Sequence, residues 1–347
     1  MESDMENYQI SYETLWKTII RPPRVSYNSD DLIDNIFSFH SRTYYRKDYD
    51  LINKKGLTLK CSLIEPDDDN RPFEIMPLVI YLHGNSSSRK EGLNMMTILL
   101  KNNINLFVFD FSGSGISEGK YISLGYHEKE DLNVVMDFVS KIPGVGKIGL
   151  WGRSMGAATA LMYAYSDKRI SCCIYDSAFS EFRLLAKQLC SNYKNIPHWL
   201  VDFAFLFIKK TILNTNGVDI DQLTPIEYAK KTEVPGFFIH ATYDELIPLE
   251  HSLKLYKEYK GKKVINVCEG KHNSRRSADV LKKVVLFFKK HLLDECKGDA
   301  KEEEEDVNEN EKEEIDEINE KKDKDNDDNN KQEEEKEVTI WTCDDID

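Results

Sequence analysis

The residues best suited to chemistry lie in one pentapeptide, Gly-Arg-Ser-Met-Gly, at positions 152–156. A strand-like run at 147–151 precedes it, and a helix-like run at 157–165 follows it. A serine hydroxyl is a weak nucleophile until a sharp strand-to-helix turn presents it to a base and to backbone N–H groups. Glycines suit so tight a turn, because side chains at Gly152 and Gly156 would collide with the neighbouring strand or helix. Ser154 is therefore the predicted nucleophile.

An acid and a base follow Ser154 in the chain. Asp244 comes after the apolar run 236–239, and His272 follows the β-rich run 263–268, so both occupy loops at the carboxyl ends of predicted strands. Loops at that edge carry the chemistry of open α/β sheets. The chain order Ser, Asp, His is that of the α/β-hydrolase arrangement and differs from the orders of the chymotrypsin and subtilisin folds. We expect these three residues to form a catalytic triad.

Backbone donors for an oxyanion can also be named. Residues 77–82 are typical of a fully buried strand, and His83, Gly84 and Asn85 follow it directly. The backbone N–H of Asn85 could join that of Met155 in binding the oxygen of a tetrahedral intermediate. We expect these two groups to form the oxyanion hole.

These blocks, with Asp-Phe-Ser-Gly-Ser-Gly at 110–115, resemble the α/β-hydrolase superfamily, in the broad group of serine-aminopeptidase-like hydrolases, lipases and esterases. The narrower pattern is similar to protein-depalmitoylating and monoacylglycerol-cleaving enzymes. The resemblance implies a serine hydrolase that cleaves carboxylic ester or thioester bonds of a hydrophobic acyl substrate through an acyl-enzyme. A peptidase of the serine-aminopeptidase type and a non-catalytic scaffold with this fold are the alternatives.

Two further residues, Asp176 and Arg153, each have more than one possible role. Asp176 follows a predicted strand at 170–175, where some hydrolases of this superfamily place the triad acid. Asp-Glu-Leu-Ile-Pro at 244–248 resembles the usual acid loop, so Asp244 is preferred. Arg153 is either a structural contact behind Ser154 or a binding group for an anionic part of the substrate.

Alternating strand and helix patterns predict an α/β-hydrolase fold with a mostly parallel sheet flanked by helices. About sixty residues separate the strand at 170–175 from the next one, more than one crossover helix needs, so we place a helical cap at about 180–233. Its apolar run 199–208 is either a lid over an acyl-chain pocket or a helix packed against the sheet. The predicted domains are an N-terminal extension docking on the core (1–44), the hydrolase domain (45–296) and a tail (297–347).

The net charge of −14 is unevenly distributed. Residues 297–347 contain 24 acidic and 8 basic residues, whereas residues 1–296 contain 37 acidic and 39 basic residues. The almost neutral body argues against a nucleic-acid partner, which would require a clustered basic surface. The acidic tail has too few apolar residues to fold and is predicted to be disordered. Residues 338–343, a more apolar segment near its end, are either a docking peptide for a protein partner or an end without function.

Seven cysteines form no C-x-x-C pair, so we expect reduced, mostly buried thiols and a cytoplasmic protein. Residues 1–20 lack the pattern of a secretory signal, and no run reaches the length of a membrane span. The substrate is expected to be a small molecule or lipid-like acyl compound, carried in solution, on a membrane surface or on an acylated protein. Neither cofactor nor metal is expected, since His127 and Glu128 are followed by Asp131 where a zinc motif needs a second histidine.

Overall fold

The computed structural model describes residues 12–191 and 198–293. The acidic tail, its terminal apolar segment and the first eleven residues lie outside this part of the chain, and so do the predictions made for them. In chain order the strands are β1 (Ile36–Phe39), β2 (Arg42–Ile52), β3 (Thr58–Pro66), β4 (Met76–Leu82), β5 (Asn105–Phe109), β6 (Val145–Arg153), β7 (Ile170–Asp176), β8 (Gly236–Ala241) and β9 (Lys263–Cys268). The helices are α1 (Tyr12–Ile20), α2 (Lys90–Leu93), α3 (Met96–Lys101), α4 (Glu128–Val139), α5 (Met155–Ala164), α6 (Phe182–Ser191), α7 (His198–Asn216), α8 (Pro225–Ala229), α9 (Glu250–Glu258) and α10 (Ala278–Leu292).

Within the described residues these strands form one sheet in the order β1-β2-β3-β5-β4-β6-β7-β8-β9. The six from β5 to β9 are parallel to one another, whereas β1, β2 and β3 are antiparallel additions at one edge. The central strands are apolar on both faces, as expected for a sheet covered on two sides. The predicted α/β-hydrolase fold with a mostly parallel sheet is confirmed.

Two apolar cores lie on opposite faces of the sheet. One packs α4, α5 and α9 against it, and the other packs α3 and α10. Cys172 and Cys173 of β7 illustrate the alternation, because each side chain enters a different core. Along α10 one stripe at helical spacing is buried, comprising Val280, Val284, Phe288 and Leu292. The cores thus cover both faces of the sheet and leave the carboxyl ends of its parallel strands to carry a site.

Residues 90–101 form two short helices, α2 and α3, which are separated by a turn at Asn94 and Met95. Gly92 explains where the first one lies. A Cβ atom there would approach Val108 Cγ1 to 2.6 Å, so α2 packs directly on the sheet through its backbone. Glycine and asparagine are also weak helix formers, which favours a break at this point.

The N-terminal segment contacts the rest of the chain at several points. Ile20 at the end of α1 is buried in the core, and Tyr12 hydrogen-bonds Thr211 of α7. Arg24 donates hydrogen bonds to carbonyl oxygens of the loop that follows β5, at 2.7 Å for Gly115. Residues 36–44, which the sequence analysis placed in the extension, contribute to β1 and β2 of the sheet.

The insertion between β7 and β8 contains α6, α7 and α8. In α7 the structure describes side chains from Ala204 onward, and those of Phe205, Ile208 and Ile212 are buried in the core that also contains Met155. Leu206 and Phe207 are exposed at 59% and 50%. The described part of α7 therefore has a packed face and two partly exposed apolar side chains, and a lid function stays a prediction.

Candidate active site

Ser154 occupies the turn between β6 and α5 with a backbone conformation of φ 53° and ψ −116°. Few L-residues adopt this region, and holding one there costs about 1–3 kcal/mol. The two glycines of the motif make the turn sterically feasible. A Cβ atom at Gly152 would lie 2.4 Å from the carbonyl oxygen of Gly156, and one at Gly156 would lie 2.0 Å from that of Leu82. The Ser154 side chain is thereby presented at the carboxyl edge of the sheet.

The structure brings the three predicted site residues together. His272 Nε2 lies 3.1 Å from Ser154 Oγ, and His272 Nδ1 lies 2.7 Å from Asp244 Oδ2. The Asp244 carboxylate is fully buried and the His272 side chain is 9% exposed. Because a carboxylate only accepts, the network requires Nδ1 to carry the proton and leaves Nε2 free to accept from the serine hydroxyl. This is the hydrogen-bond chain that general-base activation of a serine needs.

The Asp244 carboxylate is held by its own loop. Its Oδ1 atom accepts hydrogen bonds from the backbone N–H groups of Leu246 at 3.0 Å and Ile247 at 2.8 Å. Burial alone would raise the pKa of Asp244, but the hydrogen bond and charge of His272 outweigh it, and the pKa lies below its ordinary value. Asp244 is therefore ionised near neutral pH and can hold the imidazole in one tautomer.

A second imidazole, that of His240, lies next to the Asp244 carboxylate. His240 is fully buried, its Nε2 donates to the Ile247 carbonyl oxygen at 2.8 Å, and it lies 3.5 Å from Asp244 Oδ2. Burial lowers the pKa of His240, so the ring is neutral. Sequence reasoning did not identify His240, although its place in β8, four residues before Asp244, is a signal that could have found it.

The loop after β4 lies beside Ser154, since a Cβ atom at Gly84 would be 3.7 Å from the Cβ atom of Ser154. His83 is buried between its neighbours, since its Nδ1 donates to the Gly84 carbonyl oxygen at 2.8 Å and its Nε2 accepts from the Phe111 N–H at 3.1 Å. These bonds turn the Gly84 carbonyl toward His83. Asn85 follows on the exposed side of the loop.

The backbone N–H of Met155 is the first of helix α5. Groups at this position lack intrahelical partners, and the helix dipole there favours negative charge.

Asp176 forms no hydrogen bond or ion pair with His272 in the described structure. Its carboxylate accepts from Arg276 Nε at 3.1 and 3.0 Å and from Arg276 Nη2 at 2.5 Å, and both side chains are at most 5% exposed. The backbone carbonyl of Asp176 accepts from the Ser154 N–H at 2.8 Å. Asp176 thus holds the Ser154 turn through its backbone, while its charge is neutralised by Arg276.

Arg153 and Glu91 are two further polar residues beside the site. Arg153 Nη2 donates to the backbone carbonyl of His272, and Glu91 accepts from the Gly84 N–H at 2.9 Å. The sequence singled out Arg153 through its place in the motif but gave no signal for Glu91.

Among the residues with described placement, no group of three or more His, Cys, Asp or Glu side chains could hold a metal ion. Over the same residues, no helix has the length and apolarity needed to cross a membrane.

Comparison with known proteins agrees with this architecture. A family model described as alpha/beta hydrolase fold matches residues 77–206, and one described as PhoPQ-activated pathogenicity-related protein matches residues 146–322. The chain is 32% identical over 207 residues to the uncharacterized protein YqkD of Bacillus subtilis, a match that covers 58% of this chain and 66% of that relative, just under two thirds of its length.

A lipase and an esterase are also similar. The lysophosphatidylserine lipase ABHD12 of Danio rerio is 25% identical over 186 residues, which cover 52% of this chain and 46% of that lipase. The Pyrococcus furiosus esterase Pf2001 superimposes with a TM-score of 0.59 at 24% identity, covering 78% of this chain and 100% of the esterase. That structural likeness concerns the fold alone. The chain belongs to the α/β-hydrolase fold family, and by the extent of the match at residues 146–322 also to the family described as PhoPQ-activated pathogenicity-related protein.

Proposed function

We propose that this chain is a serine hydrolase that cleaves carboxylic esters or thioesters of hydrophobic acyl groups. The observation that carries the proposal is the continuous hydrogen-bond chain from the buried Asp244 carboxylate through His272 to Ser154 Oγ. The strained backbone conformation of Ser154 supports the proposal, because strained residues of this kind cluster at active sites and ligand-binding sites.

The proposed reaction has two acyl-transfer steps. Ser154 Oγ attacks the carbonyl carbon while His272 Nε2 takes its proton, and the resulting oxyanion is held by the N–H groups of Met155 and Asn85. The intermediate then expels the alcohol or thiol, which takes the proton from His272, and an acyl-enzyme remains. Water, deprotonated by His272, attacks this ester, and the carboxylic acid leaves as Ser154 regains its proton. Asp244 stabilises the charged imidazole in both steps.

An apolar acyl group fits the surface around the site. Tyr243 and Leu246, on either side of Asp244, are 62% and 48% exposed. The lipase named among the relatives acts on a lipid, which agrees with such a substrate. These features favour a long acyl chain over a short one.

The test is an activity series over acyl length. Purified chain would be assayed with p-nitrophenyl acetate, butyrate, octanoate and palmitate and with the matching acyl thioesters, alongside Ser154→Ala and the control Ser166→Ala. Ser166 is an exposed serine whose hydroxyl bonds only its own turn, at Tyr163 O. We expect turnover by the wild type and Ser166→Ala, with preference for the longer chains, and none by Ser154→Ala.

Other results would contradict the proposal. Turnover by Ser154→Ala at the wild-type rate would remove Ser154 as nucleophile. Preference for aminoacyl p-nitroanilides over every ester would favour a peptidase. A chain that turns over no substrate and takes up no fluorophosphonate would be a scaffold.

A further inference from the structure

The Arg153 side chain connects two loops of the site. Its Nη2 atom donates to the backbone carbonyl of His272 at 2.5 Å, and its Nη1 atom lies 3.4 Å from Glu91 Oε1. The side chains of Arg153 and Glu91 are 20% and 13% exposed, so the pair is mostly removed from water. Arg153 precedes the nucleophile directly, so its backbone is fixed by the strained turn that holds Ser154.

Glu91 extends this connection to the other side of the nucleophile. Its Oε2 atom accepts from the Gly84 N–H at 2.9 Å, and its Oε1 atom accepts from the Tyr81 hydroxyl at 3.1 Å. Gly84 precedes Asn85, the predicted oxyanion donor. A carboxylate that holds the Gly84 N–H, together with the His83 ring that holds the Gly84 carbonyl, fixes both sides of that residue's backbone.

The loop that carries His272 is held in part by its own turn. Gly270 adopts φ +133°, and a turn between Lys271 and Ser274 surrounds the histidine. The Arg153 guanidinium donates a hydrogen bond to the backbone carbonyl of His272 in this loop. A shift of this carbonyl would move the Cα atom of His272 and hence the imidazole relative to Ser154.

We propose that Arg153 and Glu91 are a positioning pair. Together they fix the positions of the His272 loop and the Gly84–Asn85 loop relative to each other, on either side of Ser154. The inference rests on the proposed function, since it concerns the geometry of that reaction. Neither side chain touches the reacting atoms. An exposed ion pair would contribute little, but these groups are mostly buried and engage backbone atoms of both loops.

The same contacts weigh against an anion-binding role for Arg153. Two nitrogens of its guanidinium are engaged by His272 and Glu91, and the Glu91 carboxylate supplies the negative charge that a substrate anion would otherwise offer. The two roles differ in kinetics. Loss of a positioning group lowers kcat, whereas loss of a substrate-binding group raises KM.

The experiment measures kcat and KM on p-nitrophenyl butyrate for the full chain and for Arg153→Met, Arg153→Lys, Glu91→Gln and the double variant, with thermal transitions recorded for each. Arg169→Met is the matched control, because Arg169 pairs with Asp137 and Asp167 near the start of β7, at the opposite edge of the sheet. We expect Arg153→Met to lower kcat about 10- to 100-fold, with KM changed less than about 2-fold, as small misplacements of a catalytic group do.

The remaining variants show whether the losses in kcat come from the contact between Arg153 and Glu91 or from general damage to the fold. Arg153→Lys should recover part of the lost kcat, since an ammonium group can reach one of the two acceptors. Glu91→Gln should lower kcat by a smaller factor, and the double variant should lose less than the product of the two single losses, as coupled residues do. The control Arg169→Met should turn over at the wild-type rate.

A wild-type kcat in a folded Arg153→Met chain, or a rise in KM alone, would overturn the inference while leaving the proposed function intact. If Arg153→Met does not fold, wild-type kcat in both Arg153→Lys and Glu91→Gln would overturn it equally. A wild-type chain that neither hydrolyses the ester nor takes up a fluorophosphonate would overturn the proposed function, and this inference with it.

Discussion

Gly156 of helix α5 lies against the backbone of Leu82 in β4, so closely that a Cβ atom would come within 2.0 Å of the Leu82 carbonyl oxygen. The contact is between two backbones, which side-chain rotation cannot relieve. It links the nucleophile turn to the strand that leads into the loop of His83, Gly84 and Asn85. The spacing of α5 from the sheet therefore determines how far Ser154 lies from Asn85, the predicted oxyanion donor on that loop.

Gly156→Ala should destabilise the chain severely, by at least about 3 kcal/mol, because α5 must move off the sheet to admit the methyl group. Gly217→Ala is the control, since Gly217 has φ +68° and open space around it. It should lose about 1 kcal/mol from backbone strain alone. Urea unfolding followed by circular dichroism measures both losses. Equal stability of Gly156→Ala and the wild type would show that the packing is looser than described.

The strain at Ser154 predicts a difference between two inactive variants. Ser154→Gly can adopt φ 53° and ψ −116° without penalty, whereas Ser154→Ala retains the Cβ atom that disfavours it. We expect both to be inactive and the glycine variant to be more stable by about 1 kcal/mol, after allowance for the greater freedom of glycine in the unfolded chain. Differential scanning calorimetry would test this, and an alanine variant more stable than the glycine one would contradict it.

The two buried carboxylates of the site should respond differently to neutralisation. Asp244→Asn should lower kcat by about 10⁴-fold with the fold intact, because the histidine tautomer is no longer fixed. Asp176→Asn should instead cost about 3–5 kcal/mol of stability, because Arg276 is left buried without its ion-pair partner. Steady-state kinetics and urea unfolding of both variants separate these effects. A catalytic loss in Asp176→Asn that exceeds the loss in Asp244→Asn would assign the acid to Asp176.

His251 should make the stability depend on pH below neutrality. Its Nδ1 atom accepts from the Ser180 N–H at 3.1 Å and its Nε2 atom donates to Gln188 Oε1 at 2.7 Å, and burial lowers the pKa of His251 to about 4. Between pH 6.5 and 4 the unfolded chain therefore binds a proton at this residue that the native chain excludes, so the free energy of unfolding falls as pH falls.

The variant His251→Gln cannot titrate at this position and isolates the effect. The stability advantage of the wild type over His251→Gln should shrink by up to about 3 kcal/mol between pH 7 and pH 4. Urea unfolding at a series of pH values measures it. A constant difference between the two chains over this range would mean that His251 binds its proton equally in both states.

The nucleophile turn could be predicted from sequence because its determinants are local. The two glycines, Ser154 and the change from strand to helix pattern all lie within about twenty residues, and the parallel sheet then places the loops of Asp244 and His272 at the same edge. The order Ser, Asp, His along the chain further limited the fold to the α/β-hydrolase type. Sheet topology thus converts three separate sequence signals into one site.

The supporting residues could not be predicted in the same way. Glu91 meets Gly84 and Arg153 because α2 is held against the sheet at Gly92, a packing detail that no periodicity records. Asp176 was a candidate acid on sequence grounds, and its partner Arg276 lies 100 residues further along the chain. Pairings of this kind depend on how loops of different strands meet in space, and a single sequence does not state them.

The central claim is that His272 and Asp244 activate Ser154 as a covalent nucleophile. Intact-mass analysis of the chain after reaction with a fluorophosphonate, followed by peptide mapping, tests it most directly. We expect a single adduct on Ser154, slower labelling in Asp244→Asn and none in Ser154→Ala. A wild-type chain that remains unmodified, or that is labelled equally when Ser154 is alanine, would contradict it.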